Sequence, residues 1–512
     1  MTPKNDLHEL IHSLTESEVS VFRKEILKRE GQHIYLQVFD AILDMEEYKE
    51  EALKKQFKGK KTLNNFSIAK NNLYEKVLEV LCQLPHHQNI ETRFDKFKQQ
   101  VAILIRKSLF KQAMERVEKA IRLAEKMEAF KRIFDLYELQ REIARQFLTP
   151  QEYLDLLREL RNKENFVKEA ETNLARFRDI FDTASIAQKF PPNIRQTMVN
   201  GILSQDVMQD PSECRSVTAQ IYFFRIWNHL YFIMGRTTGW QFFSEKLIEL
   251  FEQNPALLSD PGKFFVYVNA ISNLAYNSIA TGEFAKAMEA AEKLQSMRKE
   301  LKTGENEALI FCRYWKLQLL YYQKRLDEKN GMLAVEKIQE GLKRFKNKLS
   351  KNDTMELIHY VGVFMLIMGK HSEAISWILK NRDDKAGHNR PDLHDLSWIL
   401  FLTAHFSLGH LDVVEQQVPG TLRYLKERKK LTPFYKALMT FFRKTVHAKD
   451  QKEAKELLGR LQNELEELMR QEGDASFLEL FNFMAWAESR RSGQSMVDVL
   501  RTWKVDFLEQ PS

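Results

Sequence analysis

The chain has 512 residues, 44% of them hydrophobic and 29% charged, with a net charge of +7. Its 18 glycines and 12 prolines are about half the usual share, which argues for long helices and against a sandwich, propeller or doubly wound sheet, each of which needs many tight turns. At this length the chain exceeds one ordinary domain, so the choice is several domains or one elongated helical array.

Met1 to Asp6 has no apolar core of a signal peptide, so a protein that starts here is expected to stay in the cytoplasm. Four helices are expected in the first 84 residues, near 7–13, 16–29, 33–58 with a break around Tyr48, and 67–83. Leu7, Leu10, Ile11 and Leu14 recur at helical spacing, and Thr15 with Glu18 reads as a capping box before Val19, Val21, Phe22 and Ile26. His8-Glu9-Leu10-Ile11-His12 satisfies H-E-x-x-H, in which two imidazoles four residues apart share a Zn²⁺ and the Glu polarises its water. No wall of a cleft can precede a motif so near the N-terminus, and Glu16, Glu18, Glu25 and Glu30 offer a third ligand only by nearness. A zinc hydrolase at His8 and His12 is therefore the remote alternative to an ordinary amphipathic first helix.

Between Lys54 and Arg132 there are 19 Lys and Arg against 8 Asp and Glu, between Arg423 and Lys452 there are 10 against 2, and the remainder is net acidic. Solvated helix faces account for such stretches. The alternative is an anion or nucleic-acid patch built from Lys54, Lys55, Lys58, Lys60, Lys61 and Lys70, whose affinity would fall with salt. Residues 1–84 read as an N-terminal helical cap domain. In a helix-turn-helix reading the polar turn Gly59 to Asn65 would instead lead into a helix carrying Ser67, Lys70, Asn71 and Lys76 toward DNA, with Leu63, Ile68, Leu73, Val77 and Leu81 serving the core.

Residues 85–512 are read as one helical array. Amphipathic stripes run through Val101, Leu104, Ile105 and Leu109, then Ala113, Val117, Ala120, Ile121 and Ala124, and prolines from Pro85 to Pro433 punctuate the pattern. Four stretches place a small residue, a bulky one two on and a small or apolar one three further: Ser108-x-Phe110-x-x-Ala113, Gly282-x-Phe284-x-x-Ala287, Gly369-x-His371-x-x-Ala374 and Gly409-x-Leu411-x-x-Val414. The interval from 282 to 369 is 87 residues and that from 369 to 409 is 40, which predicts a unit of about 40–45 residues. Gly235 and Lys324-Arg325-Leu326 supply the intermediate turns. A sharp turn between two closely packed antiparallel helices takes a small residue, and each hairpin leaves an apolar face for the next to cover.

The segment from Asn273 to Leu294, with Gly282, Phe284 and Ala287 at its centre, resembles a tetratricopeptide repeat, and Phe364 to Ile378 resembles it less closely. The unit exceeds the usual length of about 34 residues and mostly lacks the Trp-x-x-Leu-Gly and closing Pro positions, so the resemblance is to tetratricopeptide-like proteins. Taken whole, including the start and the block Asn72 to Leu78, the chain is similar to functionally unassigned bacterial helical-repeat proteins of about this length. The resemblance implies an all-α solenoid of stacked antiparallel hairpins.

Catalytic signatures are missing. Gly59-Lys60-Lys61-Thr62 lacks the earlier glycine of a P-loop, and neither a dinucleotide fingerprint nor a nucleophile elbow occurs. His388, His394, His405 and His410, near Asp392 and Asp395, are spaced by 6, 11 and 5 and match no standard metal site. Cys82, Cys214 and Cys312 form no C-x-x-C pair, which fits a reducing compartment. Tyr222 to Phe243 is rich in aromatic residues, read as packing between helices or as the wall of a peptide groove. Arg225, Asn228 and His229 interrupt this block, and the apolar run Tyr360 to Met368 is short, so no membrane span is expected. The expected function is a non-enzymatic scaffold binding a protein or peptide on a concave surface, without cofactor. A regulatory DNA- or RNA-binding protein is the alternative, and the oligomeric state stays open.

Overall fold

The computed structural model describes residues 6–14, 16–28, 33–45, 48–57, 66–83, 90–187, 190, 192–300, 304–346, 348–383, 390–428, 430–472 and 480–508. Among these residues there are helices, short 3-10 turns and loops but no strand, and no helix is long and apolar enough to cross a membrane. The chain divides into two compact units, Met1–Ile271 and Ser272–Ser512.

The first unit opens with α1 (Asp6–Ser13), α2 (Glu16–Leu27), α3 (His33–Leu43), α4 (Glu50–Gln56) and α5 (Phe66–Gln83). The expected break near Tyr48 falls between α3 and α4. One hydrophobic cluster joins these helices, including Leu7, Ile11, Phe22, Phe39, Leu53 and Leu73, with the Phe22 and Phe39 rings stacked at 4.4 Å. On α5 the buried stripe is Phe66, Ala69, Leu73, Val77 and Val80. Ile68, expected in the core, lies off that stripe and is 56% exposed, because a 3.6-residue period carries it to the far side of the helix. Thr15 and Leu63 lie outside the described residues.

The unit continues through α6 (Ile90–Arg106), α7 (Phe110–Met127), α8 (Phe130–Ala144), the long α9 (Pro150–Ala187), α10 (Pro192–Leu203), α11 (Val217–Ile233) and α12 (Thr237–Gln253). A second cluster includes Phe94, Val117, Tyr137, Phe177 and Phe223. Next in the chain are α13 (Pro261–Thr281), α14 (Phe284–Glu300), α15 (Gly304–Arg325), α16 (Glu328–Arg344), α17 (Lys351–Ile367) and α18 (His371–Arg382). The last helices are α19 (Pro391–Ser407), α20 (Leu411–Glu427), α21 (Pro433–Thr445), α22 (Gln451–Glu472), α23 (Phe483–Ser492) and α24 (Met496–Leu508).

The predicted turns share one backbone device. Ser108, Gly235, Gly282, Leu326, Gly369 and Gly409 all have positive φ, between 57° and 84°. At Gly369 the amide donates to Leu366 O at 3.1 Å and the next amide, of Lys370, reaches back to Met365 O at 2.8 Å. Ser108, Gly235, Leu326 and Gly409 repeat this pair of bonds, which closes the last helical turn as a Schellman motif. The following helix starts two residues later every time, at Phe110, Thr237, Phe284, Glu328, His371 and Leu411. From Gly235 to Gly409 successive left-handed residues are 47, 44, 43 and 40 apart; the last three intervals fall within the spacing the sequence repeat predicts and the first is slightly longer. Within the second unit α15 also packs on α17, α17 on α19 and α19 on α21, so the first helices of these four hairpins touch in succession.

Candidate functional site

The densest polar constellation lies where α15, α17 and α19 meet. Arg313 and Lys316 share a face of α15, and Asp353 and Glu356 share a face of α17, because residues three apart are neighbours on a helix. Glu356 receives Lys316 Nζ at 2.9 Å and Arg313 Nη1 at 3.4 Å, and Arg390, just before α19, also pairs with it. Arg313 Nη1 lies 3.2 Å from Asp353, and Arg390 Nη2 lies 2.7 Å from Asp392. Burial alone would push the Glu356 carboxyl up, but Lys316, Arg313 and Arg390 outweigh it and hold the group at about 2. One turn along α17, burial and then Arg390 depress the His359 imidazole to about 4, and its Nε2 has no hydrogen-bond partner among the described residues. Burial, reinforced by Asp353, pushes the Cys312 thiol up to about 12, so it stays protonated and unreactive.

A second network continues along α19. Tyr424, on α20, donates its hydroxyl proton to Asp395 Oδ1 at 2.7 Å. His394 Nδ1 sits 2.6 Å from the same hydroxyl. A hydroxyl has one proton, and the carboxylate can only accept, so Nδ1 must be the donor in the second bond. Arg428 Nε lies 3.7 Å from Asp395, whose side chain is 3% exposed. Trp398 stacks on Tyr424 at 4.8 Å. Burial first, then Asp395, raises the tyrosine well above its ordinary range, so it acts as a hydrogen-bond donor rather than a nucleophile. Asp392 and Asp395 place the two networks on adjoining turns of α19. Together they form a rail of oriented donors and acceptors with balanced charge.

The residues singled out from the sequence are placed elsewhere. The His8 and His12 rings lie against each other, tilted, at 4.1 Å, and each Nε2 donates at 3.0 Å to a carbonyl near the end of α3, of Met45 and Ile42 respectively. The pair thus closes the open carbonyl end of that helix, and no group of three potential metal ligands assembles among the described residues. The side chain of Glu16 and all of Glu30 lie outside the described residues, Glu18 is buried, and Glu25 pairs with Lys28. Of the six basic residues, Lys54 pairs with Glu50 and Glu51 and Lys55 is exposed. Lys58, Lys60 and Lys61 lie outside the described residues. Lys70 is 8% exposed. Its ammonium reaches Glu50 at 3.2 Å and lies over Tyr48 at 5.6 Å, so it is an internal tie and not a cation facing DNA. On the same helix Lys76 covers the Tyr35 ring.

The histidine group divides. His394 belongs to the tyrosine network, His405 and His410 meet Nδ1 to Nδ1 at 3.2 Å across the Gly409 turn, and His388 lies outside the described residues. The aromatic block fills the α11/α12 hairpin: Trp227 stacks on Phe243 at 5.5 Å and donates Nε1–H to Met208 O. Gly239 leaves room there for the Tyr231 ring, which any Cβ would strike. Phe232 and Phe242 stay 44% and 50% exposed.

Sequence reading passed over Arg313, Lys316, Glu356 and Arg390. For Arg313, Lys316 and Glu356 the signal was present as isolated charges inside the apolar runs Ala308 to Tyr322 and Met355 to Met368, since a charge is retained in such a run only with a partner; Arg390, in a polar segment, carried none. No family model matches the chain, and no curated protein is significantly similar to it.

Proposed function

We propose that the chain is a tetratricopeptide-like solenoid of helix hairpins acting as a non-enzymatic scaffold, which binds an extended or helical protein segment along its successive first helices. The observation that carries this reading is the packing of α15 on α17, α17 on α19 and α19 on α21 behind turns of one repeated geometry. Such stacking makes a continuous surface, and side chains from three or more hairpins can engage one partner. The polar rail from Arg313 to Arg428 supplies fixed hydrogen-bonding groups along it. In this reading the five N-terminal helices close the array. A reducing cytoplasm suits free cysteines at 82, 214 and 312.

Affinity purification from the native cytoplasm, with and without nuclease, tests the reading. A stoichiometric, nuclease-resistant protein partner is expected. Lys316→Gln with Arg390→Gln should cut its recovery at least tenfold while the helical circular dichroism signal persists. Capture unchanged in a folded variant overturns the assignment of the rail.

A further inference from the structure

Apart from Tyr424 and Arg428, which belong to the polar rail, the basic stretch from Arg423 to Lys452 has no role in that scaffold. Its ratio of cations to anions exceeds that of the whole stretch from Lys54 to Arg132, and most of its cations point outward: Arg423, Lys426, Lys430, Lys436, Arg443 and Lys444 are all exposed. None of them forms an ion pair among the described residues, whereas Lys337, Lys370 and Arg491 in the same unit pair with Glu340, Glu328 and Glu488. On α21 the stripe Lys436, Arg443, Lys444 lies opposite the buried stripe Phe434, Leu438, Phe441, Phe442.

Helix electrostatics accounts for part of this arrangement. Lys426, Arg443 and Lys444 occupy last turns, where the helix dipole favours cations. Lys436 near the start of α21, and Lys449 and Lys452 at the start of α22, sit at ends that repel them. Two acidic groups near these cations serve the backbone: Asp450 accepts the Glu453 amide at 2.8 Å and Glu453 accepts that of Lys449 at 2.8 Å. Unneutralised charge of one sign weakens the fold by self-repulsion, and an anionic partner relieves it.

We propose that the exposed cationic face formed by the C-terminal end of α20, by α21 and by the start of α22 binds the phosphate backbone of a nucleic-acid duplex. Leu411 is exposed at the far, N-terminal end of α20, but between Arg423 and Lys452 no large apolar side chain is exposed among the described residues. A membrane-surface helix needs such side chains to enter the bilayer boundary, and single strands are held largely by stacking on exposed aromatic rings. A duplex requires neither, since its regularly spaced phosphates bind Lys and Arg through counterion release. Contact is therefore independent of base sequence.

Fluorescence anisotropy with the full chain and a labelled duplex DNA of about 30 base pairs tests this. Dissociation constants should weaken by about 10³-fold between about 50 and 200 mM salt, as about six phosphate contacts require. Replacing Lys436, Arg443 and Lys444 by Ala should reduce the salt slope by about 3, and Lys54→Ala with Lys55→Ala should leave it unchanged. In the wild-type chain the duplex should protect Lys436 and Lys444 from acetylation read by mass spectrometry, a readout that does not depend on any variant folding. Absence of binding at low salt, salt-independent binding, or an unprotected Lys436 and Lys444 overturns the proposal. So does tighter binding to single strands or to phosphatidylserine vesicles. Each outcome is independent of the protein-capture experiment.

Discussion

At the scale of single residues, three side chains among the described residues hold a left-handed backbone without being glycine, and each does so differently. Ser108 is exposed, has φ 59° and makes no side-chain bond among the described residues, so its Cβ only adds strain. Ser108→Gly is expected to stabilise by about 0.5–1 kcal/mol, measured as an upward shift of the urea midpoint. Glu128 has φ 52°, yet its two carboxylate oxygens accept the Val217 and Thr218 amides at 2.7 and 2.6 Å, capping α11. Glu128→Gly relieves the same strain but leaves two helix-start amides without that charged acceptor, so a net loss of about 2 kcal/mol is expected. Opposite signs for the two variants separate backbone strain from capping, and a gain in both would refute the capping role. Leu326 combines a left-handed φ of 57° with a side chain 8% exposed, so core burial keeps it where Gly would fit the backbone alone.

Among the helices, close approach explains two glycines that no turn requires. Within α16, a Cβ on Gly331 would strike the Phe364 ring of α17, and one on Gly341 the Phe311 ring of α15. Both rings are buried in the main cluster of the second unit and cannot swing aside. Ala improves helix propensity by about 1 kcal/mol, but overpacking costs about 1–3 kcal/mol. Gly331→Ala and Gly341→Ala should therefore lower the thermal midpoint. Gly201, with open space around its Cβ position, should tolerate the same change or gain from it. The turns at Ser108, Gly235, Gly282, Gly369 and Gly409 were legible because local sterics select small residues there. The Glu128 turn was hidden, since its purpose is an amide 89 positions away. For the same reason the sequence showed that α17 and α19 are helices but not that Glu356 would face Arg313 and Arg390. That pairing depends on how neighbouring hairpins stack.

Over the whole molecule, acid should unfold the chain in two steps. His359 remains neutral in the fold down to about 4, against an ordinary value of 6.5, so the unfolded chain takes up this proton first. Stability is full above pH 6.5 and falls as pH drops to about 4, by roughly 3 kcal/mol for this group. His371, also lowered to about 4 by burial and then by Arg490, acts in the same direction. Glu356, held at about 2 against 4.5, contributes stability above 4.5 that is lost as pH falls toward 2. Urea midpoints across this range should show both limbs. His359→Asn should shrink the first limb to the share of His371 and spare the second, and an unchanged first limb would refute the assignment.

The repeated turn also bears on how such a chain can change its length. Leu326 and Gly369 have the same handedness and the same closing bonds, and each is followed two residues later by a helix start. Excising 327–369 would therefore join the end of α15 to the start of α18 with the helix phase preserved, and duplicating that stretch would insert one whole hairpin. Descent by unequal crossing-over would leave relatives differing by multiples of a hairpin, and their junctions would coincide with the left-handed residues.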